Sequence, residues 1–353
     1  MKVGHQPLVS VVTPVYNEAR YLSECIQSIL AQTYREWEYV IVDNCSTDGS
    51  GQIARRYAAR DSRIKVVTNQ KFLPAIRNHN FALRQISADS KYCKVVLGDD
   101  WIFPECLDRM VAIAEAHPSI GIVSAYVLED REVKCVGLPY PSGLICGRDM
   151  CRKDLLEKVY AIGSPSSVLY RADLVRSHDP FYDEESIHAD TEVYFALLKA
   201  CDFGFVHQVL TFTRLRPESR SAMSSQVQTC LASKLRILLT HGRDYLSHEE
   251  FEACLGQHLS EYYRFLGKSL LLGGHSQLWE YHKRQLAQSG IGFSRLRLAM
   301  GTMATLYDAA LNPKHSFQKL LKRRDIGKAA SVIPLRGRRK PTTGMRLEDT
   351  MER

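Results

Sequence analysis

VSVVTPVYNEARYLSECIQSILAQTYREWEYVIVDNCSTDGS, residues 9–50, reads as strand, turn, helix, strand, turn. Leu8 to Thr13 is a β-branched run closed by Pro14. From Glu18 to Gln32, Leu22, Cys25, Ile26, Ile29 and Leu30 recur at helical spacing. Trp37 to Asp43 is a second strand, continuous in its apolar character. The following loop offers Asp48 or Ser50 as a helix N-cap. Outward from this unit the alternation persists: a helix through Arg60, a strand over Ile64–Thr68, a helix over Leu73–Ile86 and a strand over Lys94–Leu97. Continuous apolar strands separated by helices predict an α/β fold whose central sheet is mostly parallel and covered by helices on both faces.

In such a sheet, ligands bind beyond the carboxyl ends of the strands. Three polar clusters fall there: the Pro14–Glu18 turn, Asp43, and the pair Asp99-Asp100 after the apolar run VVLG. Adjacent carboxylates repel and raise each other's pKa, so the pair is tolerable in water or beside a cation. The pattern points to a polar, nucleotide-like ligand. A solvated turn is the plainer reading of two adjacent acids taken alone.

The remaining bulk features are ordinary for a globular chain: 353 residues, 45% hydrophobic and 24% charged. The net charge of +8 is concentrated, because residues 314–340 hold ten Lys/Arg against Asp325 alone. The basic character therefore belongs to a tail and argues for no specific nucleic-acid partner. Ten cysteines show no CxxC spacing and no zinc-like pairing with histidine, as reduced cytosolic cysteines would. No apolar run is long enough to span a bilayer and no secretory leader opens the chain, so a cytoplasmic location is expected. Ile120–Val127 reads as a further strand, and long helical patterns dominate from Gln226 to about Leu311, with Leu231, Leu235, Leu238 and Leu239 in one stripe and Phe265, Leu266, Leu270 and Leu272 in a later helix. The expected division is 1–225, a nucleotide-sugar domain; 226–330, a helical region; and 331–353, a basic flexible tail.

The residues so far quoted resemble family 2 of the inverting glycosyltransferases, which have the GT-A fold and include bacterial surface-polysaccharide enzymes. The resemblance spans roughly residues 8–222. Beyond the opening stretch it is carried by AIRN (75–78), LGDDW (97–101), GSPSSVLYR (163–171), PFYDE (180–184), HADTEVYFALLKACDFGF (188–205) and RLRPESRS (214–221). Three departures stand out: Ala189 before Asp190 where relatives carry Glu, Arg216 where they often carry His, and QKFLPA (70–75) where they carry a glycine-containing stretch.

The resemblance implies a nucleotide-sugar donor whose diphosphate is bridged by Mg²⁺ or Mn²⁺, a glycan or lipid-linked glycan acceptor, and one set of site residues. Asp100, with Asp99 beside it, is the expected metal ligand; hard cations take carboxylate, phosphate and water oxygens. Asp99 also suits a ribose hydroxyl. Asp43 is expected to accept the N3–H of uracil, or equally of thymine, which favours UDP or dTDP over GDP or CMP; its plainer role is a turn aspartate. Pro14, Tyr16, Asn17 and Glu18 are expected around the base, and Arg77, Arg214 and Arg216 near diphosphate or base. Asp190 matches the position of the base that deprotonates the acceptor hydroxyl, with an N-cap for the helix after it as the structural alternative. Residues 163–171 and the helical region are expected on the acceptor side. The basic stretch 314–340 is a candidate contact for the anionic cytoplasmic face of a membrane. Two rivals are a sugar-nucleotide nucleotidyltransferase, whose Gly-rich basic signature PVYNEARYL lacks, and a catalytically silent nucleotide-sugar-binding scaffold.

Overall fold

The computed structural model describes residues 6–216, 228–273 and 276–311. The stretches 217–222 and 314–340 singled out in the sequence lie outside the described residues.

Three βα units open the fold: β1 (Val9–Val15), α1 (Leu22–Leu30), β2 (Trp37–Asp43), α2 (Ser50–Ala58), β3 (Ile64–Thr68) and α3 (Ala75–Leu83). Next come β4 (Tyr92–Val95), β5 (Trp101–Ile102), α4 (Cys106–Ala116), β6 (Ile120–Glu129), β7 (Glu132–Lys134), β8 (Leu144–Ile145) and α5 (Gly147–Glu157). A short 3₁₀ turn at Pro165–Ser167 precedes β9 (Leu169–Arg171), α6 (Ala172–Ser177), α7 (Ala189–Leu197) and β10 (Asp202–Thr213). Four helices follow: α8 (Thr229–Tyr245), α9 (His248–Leu271), α10 (Ser276–Gln288) and α11 (Arg295–Leu311).

All the strands join one sheet in the order β3-β2-β1-β4-β9-β6-β10-β5, with β7 on β6 and β8 on β10. The long pairings, β1 with β2 and β4, β2 with β3, and β6 with β10, are parallel. The short ones, which involve β5, β7, β8 and β9, are antiparallel. Alternate residues of β2 feed two cores: Trp37, Tyr39 and Ile41 pack with α1, α2 and α4, while Val40 and Val42 pack with α3, α5 and α7. The expected α/β architecture, with helices on both faces and a helical C-terminal extension, is borne out.

Several local boundaries differ from the sequence expectation, each for a stated reason. Pro14 lies inside β1 instead of closing it, because β4 pairs only with Val9–Val12 and leaves the missing N–H of Pro14 without a ladder partner to lose. The helix after it starts at Leu22, since Glu18 is held in a turn whose carbonyl accepts from the N–H groups of Tyr21 (3.0 Å) and Leu22 (2.9 Å). Gly49, at φ +100°, takes the N-cap position of α2; Asp48 and Ser50 are engaged across the loops instead. β4 ends at Val95, so Asp99 lies within, and Asp100 ends, a turn closed by Asp100 N–H to Leu97 O (3.0 Å). His188 occupies the cap of α7, which places Asp190 within the first turn and removes the N-cap alternative for it. Of the later helix, Leu266 is buried but Leu270 and Leu272 are exposed.

α8 ties the extension to the sheet domain. Ile237 and Tyr245 enter the sheet core, Arg236 pairs with Asp183 and Glu192, and the Tyr245 hydroxyl donates to Phe195 O. Half-buried Asp154 on α5 sits in the same seam and accepts from the Tyr194 hydroxyl. Burial pushes its carboxyl from 3.8 up to about 7, with Lys234 pulling the other way. The folded state then holds a proton that the unfolded state releases, so stability falls as pH rises from about 4 to 7 and is flat above. Asp154→Asn should stabilise by roughly 1–3 kcal/mol at pH 8, and the gain should vanish below pH ~4. Urea unfolding at the two pH values reads this directly; a pH-independent difference would show that Asp154 does not titrate in the seam.

Candidate functional site

The turns after β1 and β2 are stitched into one wall. Asn17, at φ +55°, a conformation asparagine tolerates, accepts from Thr47 N–H (2.9 Å) and donates its own N–H to Ser46 Oγ (3.1 Å). Glu18 N–H donates to Ser50 Oγ (2.8 Å) and Ala19 N–H to Asp48 Oδ2 (2.8 Å). Asn17 thus has a structural task in addition to the ligand role expected of it. Asp43, 4% exposed, accepts from Ser46 N–H at 3.0 Å. Its second oxygen lies 2.3 Å from where a Cβ on Gly51 would stand, so only glycine at the start of α2 leaves that carboxylate its place.

A buried amide chain braces the wall. Asn69 Nδ2 donates to Asn44 Oδ1 (2.7 Å) and Asn78 Oδ1 (2.9 Å). The Asn44 side chain grips the backbone of Leu73 in both directions, at 2.8 and 2.9 Å. This anchors the atypical QKFLPA stretch, and Phe72 from it meets Tyr16 edge-on with centroids 4.8 Å apart.

Glu18 joins this wall to a carboxylate cluster crossed by arginine. Arg216 reaches both oxygens of Glu18 at 3.0 Å and Asp99 Oδ2 at 2.7 Å. Arg214 donates its backbone N–H to Asp100 Oδ1 (3.1 Å), its Nε to Asp99 O (3.3 Å) and its Nη2 to Glu24 (2.6 Å). Both guanidinium groups lie over the ring of Tyr21, at 4.6 Å for Arg214 and 5.5 Å for Arg216. Glu18 is pushed up to about 7, first by burial and then by Asp99. Asp100, buried at 2% exposure, is likewise pushed up by burial and by Asp99.

Two residues below this cluster went unread in the sequence. Ser166 Oγ donates to Asp100 Oδ2 (2.6 Å) and accepts from Leu97 N–H (3.0 Å), which puts part of the 163–171 segment under the carboxylates. Lys94, fully buried, donates from Nζ to Ser166 O at 2.6 Å, with Met110 Sδ at 3.8 Å. Burial lowers its pKa, while Cys106 and Asp100 act in the opposite direction. A lysine in an apolar strand gives no local signal; only the crossing of β4 with the 3₁₀ turn supplies its acceptor. Thr211 Oγ1 also donates to Ser166 O (3.2 Å), so Lys94→Met fills the volume without orphaning that carbonyl. Lys94→Met should change unfolding free energy by less than ~1.5 kcal/mol, and Lys94→Ala should cost about 2–5 kcal/mol through its cavity. Equal losses in urea unfolding would mean the ammonium itself holds the turn.

Asp190 is the second residue of α7, where the helix N-terminus favours its charge, and its Oδ1 accepts from Thr191 N–H at 2.9 Å. His188, at the cap, meets Thr229 Oγ1 at 2.9 Å and serves the junction with α8. Arg77 is taken by Glu184 at 2.7 Å.

The residues fit a divalent cation. Among the described residues no three His, Cys, Asp or Glu form a ready cage. Mg²⁺ and Mn²⁺ held against a diphosphate need only one or two protein carboxylates, with phosphate and water completing the shell. Glu18 and Asp99, which share the Arg216 guanidinium, and buried Asp100 beside them supply the hard oxygens and the surplus negative charge that such an ion relieves.

Residues 10–167 match the family model described as Glycosyl transferase family 2. The chain is 35% identical over 164 residues to EpsE of Bacillus subtilis, which carries a glycosyltransferase designation; the match takes in 44% of this chain and 58% of that protein. The fold superposes on S. aureus TarS 1–349 in complex with UDP-GlcNAc with a TM-score of 0.61 at 18% identity, covering 87% of this chain and 92% of that one. It also superposes on the mannosyltransferase PcManGT from Pyrobaculum calidifontis, in complex with GDP-Man and Mn²⁺, with a TM-score of 0.52 at 17% identity, covering 88% and 87% of the two chains. These two likenesses concern the fold.

Proposed function

We propose that the protein is a family 2 glycosyltransferase that transfers one sugar from a UDP-sugar, with a dTDP-sugar as the alternative, to a hydroxyl of a glycan or lipid-linked glycan, with inversion; the family-model match over residues 10–167 supports that reading. The observation that carries the reading is the cluster of Glu18, Asp99 and Asp100 with Arg214 and Arg216, which shares the carboxyl edge of the sheet with Asp43. The UDP-GlcNAc in the TarS complex and the GDP-Man and Mn²⁺ in the PcManGT complex support a nucleotide-sugar donor and a divalent ion.

Asp43 accepts the N3–H of the base in this reading, and the Tyr16–Phe72 ring pair offers aromatic surface to it. Asp100 and Asp99 would hold Mg²⁺ or Mn²⁺, which would supply Lewis-acid stabilisation of the departing diphosphate. Arg216 then exchanges part of its contact with Glu18 and Asp99 for phosphate oxygens, to which a planar guanidinium is suited. Asp190 takes the proton of the acceptor hydroxyl as it attacks the anomeric carbon in line. The division at residue 225 and cytoplasmic placement, with the basic tail against a membrane, belong to the same reading. Among the described residues no helix is long and apolar enough to cross a membrane.

A donor screen scored by nucleoside diphosphate release, with and without EDTA and with lipid-linked acceptors, tests it. Metal-dependent UDP release is expected. Pyrophosphate as product would point to a nucleotidyltransferase, and donor binding without any release to a scaffold.

A further inference from the structure

We infer that the outer face of α11 docks on an anionic lipid bilayer, a surface separate from the donor site and from the basic tail. The buried side of α11 is fixed by a close crossing with α9. A Cβ on Gly301 would lie 2.3 Å from Tyr263 O, and one on Gly267 2.5 Å from Thr302 N, so the two backbones touch. Leu298, Thr302 and Thr305 share that inner side, with Thr305 Oγ1 also reaching Arg264 O at 3.5 Å.

The opposite side is apolar and bare. Leu296 is 72% exposed, Met300 61%, Met303 69%, Tyr307 66% and Leu311 60%. Spaced by three and four residues, they fall in one stripe about 80° wide along the helix. A stripe of five large apolar side chains is not an ordinary solvated helix face. It continues into an open groove of about 660 Å³, bounded by Leu270, Trp279, Lys283, Phe293, Arg295 and Met303.

The borders of the stripe identify the occupant. Arg295 and Arg297 are exposed at its two flanks near the start of α11, and Lys283 stands at the groove over the Phe293 ring (5.5 Å). The single acid on the helix, Asp308, is paired with Arg264. The sequence then runs on into the ten basic residues of 314–340. A second copy of the chain would offer these arginines no acid from the same face. A bilayer with anionic headgroups answers both features: acyl chains receive Leu296, Met300 and Met303, aromatic Tyr307 and Trp279 suit the interface, and phosphates meet the cations.

The test is flotation of the full chain with phosphatidylcholine vesicles, with and without phosphatidylglycerol, at low and high salt. The double variant Leu296→Glu/Met303→Glu is compared with Val133→Glu, an equally non-conservative change at an exposed site (45%) on β7. Binding to the anionic vesicles that weakens with salt is expected, with a loss of at least ~10-fold in the double variant and none in Val133→Glu. Brominated lipid should quench wild-type fluorescence, and Trp279→Phe should remove that quenching, which reads the docked face with α11 unsubstituted. Wild-type binding unaffected by the double substitution would leave the tail as the sole anchor and overturn the proposal. So would the absence of quenching, or self-association in sedimentation that the double substitution abolishes.

Discussion

Asp100→Asn should lower turnover by about 10³-fold, the several kcal/mol that Lewis-acid stabilisation of a leaving diphosphate supplies. UDP affinity should fall only when Mg²⁺ or Mn²⁺ is present, since the carboxylate acts through the ion. The fold should tolerate the change: Ser166 Oγ and Arg214 N–H donate to Asp100 oxygens, and an amide retains one acceptor for them. Relief of a buried, repelled carboxylate offsets part of what is lost. Asp99→Asn should cost less, because Arg216 holds that side chain from the opposite flank at 2.7 Å. Steady-state rates with added metal and calorimetric UDP titrations with and without EDTA measure both effects. Full activity of both variants in EDTA would remove the metal site from the mechanism.

Asp190→Asn should reduce turnover by about 10²–10⁴-fold while donor binding stays intact. The residue stands in the first turn of α7 with His188 at the cap, so the loss of its charge should cost the helix only ~0.3–1 kcal/mol. The two readouts therefore separate. A large rate loss with an unchanged melting temperature identifies the base, whereas a lowered melting temperature with normal turnover per folded molecule would make Asp190 a helix-end stabiliser.

Much of this was legible from local pattern. Uninterrupted apolar strands cannot face water on either side, which is why the strand–helix alternation over residues 8–97 implied a parallel sheet covered by helices on both faces. The carboxyl-edge rule then gathered Pro14–Glu18, Asp43 and Asp99-Asp100 without coordinates, because strand direction determines where loops emerge. The composition of 314–340 marked a basic tail by count alone.

What needed the tertiary structure were the contacts made at long range. Arg216 reads as a departure from a family pattern until β10 brings it onto Asp99 and onto Glu18, the latter nearly two hundred residues away along the chain. Lys94 looks misplaced in an apolar strand until the 165–167 turn presents a carbonyl to it, and Ser166 has no evident task until that turn lies under Asp100. Asn44, Asn69 and Asn78 are three unremarkable amides in sequence; only the meeting of β2, β3 and α3 makes them one buried chain. The apolar periodicity of residues 296–311 likewise identifies a helix but not which side it hides. The crossing at Gly267 and Gly301 decides that, by turning Leu296, Met300, Met303 and Tyr307 outward. Periodicity is a property of one segment, whereas a salt bridge, a buried acceptor or a helix crossing is a property of two, and the second partner is chosen only when the chain folds.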